Sequence, residues 1–175
     1  MIPIGIDTQA ACGTRSGLGT YVTRLCEALN QRSSTEFEIH NYQISGFEAS
    51  TPKRLIWENV FLPAAALKDR IQLLHTPAFS PPFYRCAKRH VMTVHDIIGL
   101  VFPEQSETLG AASRFYWLRW FPDRIRKTDF IIADSEHTKS DLIRHMAVPD
   151  SKIKVVYPSG HEGFYPAAGD PEFPS

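Results

Sequence analysis

Short apolar runs alternate with stretches of helical periodicity along most of the chain. Ile2 to Ile6 is apolar and ends at Asp7, the pattern of a first buried strand. Thr8 to Leu18 is rich in Gly, Thr, Ser and Arg and reads as a loop. Leu18, Val22, Leu25, Cys26 and Leu29 then recur at helical spacing, which predicts a helix over 19–31. Phe37 to Ile44 reads as a second strand and Gly46 to Pro52 as a loop. The stripe Ile56, Val60, Phe61 and Ala64 predicts a helix over 55–67, broken or kinked at Pro63, which has no N–H to donate. Ile71 to His75 is a third strand, and Thr76 to Tyr84, with Pro77, Pro81 and Pro82, is an irregular loop. His90 to His95 is a fourth strand. Thr108 to Lys127 is an unusually aromatic helix, interrupted near Pro122. Asp129 to Ala133 is a fifth strand, Ser135 caps a helix that runs to about Met146, and Ile153 to Tyr157 is a sixth strand. Pro166, Pro171 and Pro174 predict loop at the end of the chain.

This alternation predicts an α/β fold: a Rossmann-like parallel sheet with helices on both faces. Ligands of such sheets bind outside the carboxyl ends of the strands. The side chains expected there are Asp7 and its loop, His75-Thr76, His95-Asp96, and Asp134 with Ser135.

Composition narrows the class. The 175 residues suffice for one domain with its own core, and 43% hydrophobic with 22% charged residues excludes a chain disordered throughout. Nineteen basic residues balance nineteen acidic ones, so a general nucleic-acid coating is not expected. Cys12, Cys26 and Cys86 form no C-x-x-C pair, which argues against a disulfide framework or zinc ribbon and for a reducing compartment. The first residues do not have the form of a signal peptide, and no apolar run reaches membrane-spanning length, so a cytoplasmic location is expected.

Four groups of residues carry candidate chemistry, each with a plainer reading beside it. Ser16-Gly17-Leu18-Gly19-Thr20-Tyr21 follows a strand and opens a helix, where glycines let backbone approach a phosphate; they could equally serve a turn. No acidic residue ends the second strand, so nicotinamide binding is not expected. His95 at a strand end can bond a sugar hydroxyl or phosphate with Asp96 orienting it, or can simply close a buried strand. Ser135, Thr138 and Lys139 on a first helical turn suit an anion or a sugar, or form an ordinary cap. The basic-aromatic run from Arg114 to Lys127 suits either core packing with a solvated basic edge or contact with an anionic membrane. No D-x-D or three-ligand spacing points to a metal site.

Several segments together resemble glycosyltransferase family 4. Ser16-Gly17-Leu18-Gly19-Thr20-Tyr21-Val22 is similar to its glycine loop and first helix, and Leu55-Ile56-Trp57-Glu58 with Leu62-Pro63 to its next helix. Leu74-His75-Thr76-Pro77, Val94-His95-Asp96-Ile97-Ile98 and Phe102-Pro103-Glu104 resemble its strand-to-loop segments. So do the run from Ile131 to Lys139 with Asp141-Leu142, then Val148-Pro149 and the run from Lys152 to Tyr157. The resemblance implies one half of a two-domain GT-B architecture. Residues 1–158 would be the N-terminal, acceptor-side domain and 159–175 a hinge and tail, with the C-terminal donor-binding domain absent. Pro158-Ser159-Gly160-His161 departs from the family's usual Pro-Asn-Gly-Val hinge.

The implied activity is a retaining, metal-independent transfer of a hexosyl-type sugar from a nucleotide diphosphate sugar to a glycan or lipid-linked acceptor, as in polysaccharide biosynthesis. The nucleotide sugar is a co-substrate, and no cofactor is implied. By the resemblance, His95 would face the transferred sugar with Asp96 supporting it, and the Gly17–Gly19 loop would approach donor phosphates and acceptor. Ser16, Leu18, Tyr21, Thr76, Ser135, Thr138 and Lys139 would complete the substrate-binding surface. Peripheral contact with the inner face of a membrane would accompany a lipid-linked acceptor. The isolated chain would not turn over. Two competing readings are a non-catalytic module that binds a carbohydrate or lipid head group, and a small-molecule Rossmann enzyme such as an epimerase. The absence of an acidic residue at the end of the second strand argues against the latter.

Overall fold

Six strands form one fully parallel sheet: β1 (Ile2–Asp7), β2 (Phe37–Tyr42), β3 (Leu73–Thr76), β4 (Arg89–Val94), β5 (Phe130–Ala133) and β6 (Ile153–Val155). Their order in space is β2-β1-β3-β4-β5-β6. This is the Rossmann-like α/β sheet that the sequence predicts. The computed structural model describes residues 1–12, 16–32, 36–45, 51–78, 80–101 and 114–158. The expected hinge and tail at 159–175, Phe102-Pro103-Glu104 and the start of the aromatic helix at 108–113 lie outside the described residues.

The chain moves one way from β1 to β2 and the other way from β2 to β3. Right-handed crossovers therefore put their helices on opposite faces. Helix α1 (Gly17–Gln31) takes one face, burying Val22 and sending Tyr21 across to Thr93 of β4. The other face carries α2 (Thr51–Ile56), α3 (Leu62–Lys68), α5 (Phe121–Lys127) and α6 (Glu136–Met146); the one-turn α4 (Ile98–Val101) lies between β4 and α5. Register makes the alternation consistent: Gly5, Leu74 and His90 are successive partners and point to this second face. Two apolar clusters fill it. Leu62, Leu74, Trp57 and Ala66 form one, and Met92, Val94, Ile125, Ile131 and Leu142 belong to the other. Each fully buried aliphatic side chain contributes about 1.5–3 kcal/mol. Gly5 is required here because a Cβ would lie 2.8 Å from the Tyr42 ring.

The break or kink expected at Pro63 and the interruption expected near Pro122 take the form of π turns. Residues 51–68 and 114–127 run on through one π turn each, Trp57–Phe61 and Tyr116–Trp120. A proline clashes with the carbonyl four residues back and cannot bond it. The wider turn removes the conflict, since Leu62 and Phe121 donate five residues back, to the carbonyls of Trp57 and Tyr116. Helices α3 and α5 then carry the prolines within their first turns. The aromatic segment is mainly core: Tyr116, Phe121 and Ile125 are buried, as is Arg124, whose guanidinium lies over the Phe83 ring. Phe115, Leu118 and Arg119 are exposed. No described helix is long and apolar enough to cross a membrane.

Candidate functional site

The carboxyl ends of the strands converge on a cavity of about 150 Å³, beside the point where the strand order reverses between β1 and β3. Strand β4 and the residues after it supply Met92, Thr93, Val94, His95 and Asp96. Leu18 comes from the first turn of α1, Arg54 from α2 and Ala78 from the loop after β3. Tyr116 and Trp117 of the second π turn, with Phe121, close the far wall. The lining is chiefly apolar, with Arg54, His95, Asp96 and Tyr116 as its ionisable groups. Small-molecule sites have this character: an apolar body with a few placed polar groups.

His95 is held on every side. Its Nε2 lies 2.9 Å from the Pro77 carbonyl oxygen, which can only accept, so Nε2 carries a proton. Its Nδ1 lies 3.4 Å from Asp134 Oδ2. The Tyr21 ring meets the imidazole edge to face at 4.8 Å between centroids. The carboxylate supporting His95 is therefore Asp134, not Asp96 as expected from adjacency. Asp96 is exposed and accepts a bond from the Ile98 N–H at 3.1 Å, capping the turn that follows. That Asx-type turn takes up the carboxylate locally.

Of the remaining expected residues, some meet at the site and others do not. Ser135 caps α6 by accepting from the Thr138 N–H, and its hydroxyl lies 2.9 Å from that of Thr138. Thr138 is buried, with Oγ1 2.9 Å from the His95 carbonyl oxygen and 3.0 Å from Asp134 Oδ1. It braces the two strand ends from behind rather than lining the cavity. Lys139 points elsewhere, to Asp150 at 2.7 Å. Thr76 is fully buried and is not a lining residue. His75 is buried against Thr93 Oγ1 at 2.9 Å, and burial pushes its imidazole down to about 4, so it is neutral.

The glycine loop divides its labour. Ser16 caps α1 by accepting from the Gly19 N–H at 3.0 Å, which satisfies one of the helix's unpaired amide groups. A Cβ on Gly19 would lie 2.7 Å from the Ala10 carbonyl oxygen, in the single 3-10 turn Gln9–Ala11. A Cβ on Gly17 would meet nothing within 4 Å. Close packing thus requires the second glycine, and the first leaves open space beside Leu18 of the cavity wall. Gly19→Ala is expected to destabilise by about 1–3 kcal/mol despite alanine's better helix propensity. Gly17→Ala should change stability by less than about 1 kcal/mol. Denaturant unfolding of both variants checks the contrast.

Behind Arg54 lies a buried acidic pair. Asp7 Oδ1 accepts from the Trp57 indole N–H at 2.9 Å and the Gln9 N–H at 3.0 Å, yet burial pushes its carboxyl up to about 6. Glu58 lies 3.3 Å from Arg54 Nε; burial is the larger influence and lifts its carboxyl to about 8 against the pull of Arg54. The Arg54 guanidinium carbon sits 4.2 Å over the Tyr116 ring, whose hydroxyl bonds Ser80.

The family model of Glycosyltransferase Family 4 matches residues 15–159, from the glycine loop past the last strand. The chain belongs to glycosyltransferase family 4. No curated protein matches it. The chain is thus of glycosyltransferase type, with a sugar donor and an acceptor as its substrates. Arg54, Tyr116 and Trp117 of this glycosyltransferase domain are lining residues that sequence reasoning did not select. A glutamate four residues after an arginine, inside an otherwise apolar stripe, was the available signal for the buried Arg54–Glu58 pair. Among the described residues, no three His, Cys, Asp or Glu side chains are grouped to hold a metal ion.

Proposed function

We propose that this domain is the acceptor side of a retaining, metal-independent glycosyltransferase that moves a sugar from a nucleotide diphosphate sugar to a glycan or lipid-linked acceptor. The observation that carries the reading is the cavity itself. It combines a braced, partly buried imidazole at the strand ends with apolar walls. A sugar ring offers an apolar face to Trp117 and Leu18, beside the His95 ring. The exposed Phe115, Leu118 and Arg119 would suit a membrane-bound acceptor, since basic-aromatic surfaces favour anionic lipid.

The test is a nuclear magnetic resonance titration of the 175-residue chain with glycan acceptors and, separately, with nucleotide diphosphate sugars, in the presence of a chelator. Acceptors are expected to shift the His95 and Trp117 ring signals, and nucleotide sugars alone to shift them little. Shifts from nucleotide sugars but from no acceptor would overturn the acceptor-side assignment. Transfer that needs an added divalent cation, in an enzyme joining this domain to a donor-binding domain, would overturn metal independence.

A further inference from the structure

His95 is held at its two ring nitrogens, by the Pro77 carbonyl at 2.9 Å and by Asp134 at 3.4 Å. Contacts at the nitrogens alone leave one motion open, a swing of the imidazole about the line through them. Tyr21 opposes it: its ring crosses the imidazole at 84°, with 4.8 Å between centroids. The far end of Tyr21 is itself tied down. Its hydroxyl lies 3.5 Å from Thr93 Oγ1, and that oxygen lies 2.9 Å from His75 Nε2. We propose that Tyr21 is a positioning residue for His95: anchored through Thr93 on His75, it holds the imidazole at the angle from which the ring meets a bound sugar.

Three observations carry this. First, α1 lends the cavity wall Leu18, not Tyr21. The tyrosine therefore reaches His95 without reaching the substrate space. Second, the anchor is built from buried polar groups. Thr93 and His75 are both buried, and the register puts them on one sheet face, since His75 pairs with Val91, two residues before Thr93. Apolar side chains would pack there at no polar cost; a hydroxyl and an imidazole that bond each other, with a tyrosine above them, give a fixed geometry instead. Third, the chain of contacts joins three elements. Tyr21 is on α1, His75 on β3 and Thr93 on β4, two residues before His95 itself. Rigid elements hold a ring more precisely than a loop does.

The consequence for transfer rests on the glycosyltransferase reading of His95; the hold on the ring is measured without turnover, on the 175-residue chain. Carbon-13 relaxation of the histidine rings compares His95 with His90, a buried histidine on the opposite sheet face. Tyr21→Leu should lower the order parameter of the His95 ring by about a third and leave that of His90 unchanged. Tyr21→Phe keeps the ring but loses the anchor, so its effect should be smaller and in the same direction. Thr93→Val should match Tyr21→Phe, and Thr93→Ser, which keeps the hydroxyl, should restore the parent value. In an enzyme that joins this domain to a donor-binding domain, Tyr21→Leu should lower kcat about tenfold or more with KM within about twofold. In a His95→Ala background it should cost nothing further.

An unchanged His95 order parameter in a folded Tyr21→Leu would overturn the proposal. So would a further loss of kcat on adding Tyr21→Leu to His95→Ala. A Tyr21→Phe that weakens acceptor binding about tenfold with the His95 ring as rigid as before would make Tyr21 a substrate contact, which also overturns it. Should Tyr21→Leu not fold, Tyr21→Phe and Thr93→Val decide: a His95 ring unmoved by both removes the anchor and the proposal with it. A loosened His95 ring, with kcat unchanged in both Tyr21→Leu and His95→Ala, would defeat the reading of His95 in transfer and leave its positioning by Tyr21 standing.

Discussion

Between about pH 6.5 and pH 8.5 the protein loses about 1 kcal/mol of folding stability, and Glu58→Gln removes that loss. The sign follows from the direction of each shift. Glu58 ordinarily titrates at 4.5 and is lifted by burial to about 8. Between those values the native state binds more protons than the unfolded chain, so stability falls as pH rises. Asp7, raised from 3.8 to about 6, acts in the same direction but is spent by about pH 7. His75 and His90 are both lowered by burial from 6.5 to about 4, so they add stability as pH rises through that window. The two histidines therefore oppose the two acids up to about pH 7.5, and above it Glu58 acts against no histidine. Guanidinium unfolding at the two pH values measures the difference. Equal losses in the parent chain and Glu58→Gln would mean that Glu58 is ionised throughout and paired with Arg54.

The strands and α6 were legible in the sequence because each is a short run with one dominant pattern. Glu136–Met146 is bounded by a serine cap whose chemistry is local, and the expected start and end hold. The strands shift by only a residue or two at their ends, β6 included, which stops at Val155 rather than Tyr157. Pro63 and Pro122 marked the interruptions but not their form, because a proline's effect depends on whether the preceding turn can widen, as both π turns do here. The site was legible by topology and only partly by residue. His95 and Leu18 reach the cavity because strand and helix ends must. Lys139 and Thr76 failed as lining residues because position along an element fixes neither the direction of a long side chain nor which face is buried. Arg54 was hidden by distance, since its partners Tyr116 and Ser80 belong to segments far away in sequence and come together only in the folded chain.

Asp134→Asn is expected to slow transfer about 10- to 100-fold in an enzyme that joins this domain to a donor-binding domain, whereas Asp96→Asn should cost less than about threefold. The argument starts from what holds the imidazole. Nε2 is committed to the Pro77 carbonyl, so the charge that Nδ1 faces decides how well the ring tolerates positive charge developing beside it. That charge is Asp134, at 3.4 Å, and its other oxygen is tied to Thr138 on the first turn of α6. An amide of the same shape keeps the packing and removes the charge. The loss should therefore appear in kcat with KM changed little, the pattern of an interaction stronger in the transition state than in the ground state. Asp96 bonds the Ile98 backbone instead, so its amide variant should loosen that turn and leave kcat nearly intact. His95→Ala sets the scale: it should lower kcat at least as far as Asp134→Asn, and the double variant should be little worse than His95→Ala alone, because both act through one ring. Fully additive losses would show that Asp134 contributes independently of His95. A larger effect from Asp96 would restore the arrangement expected from adjacency.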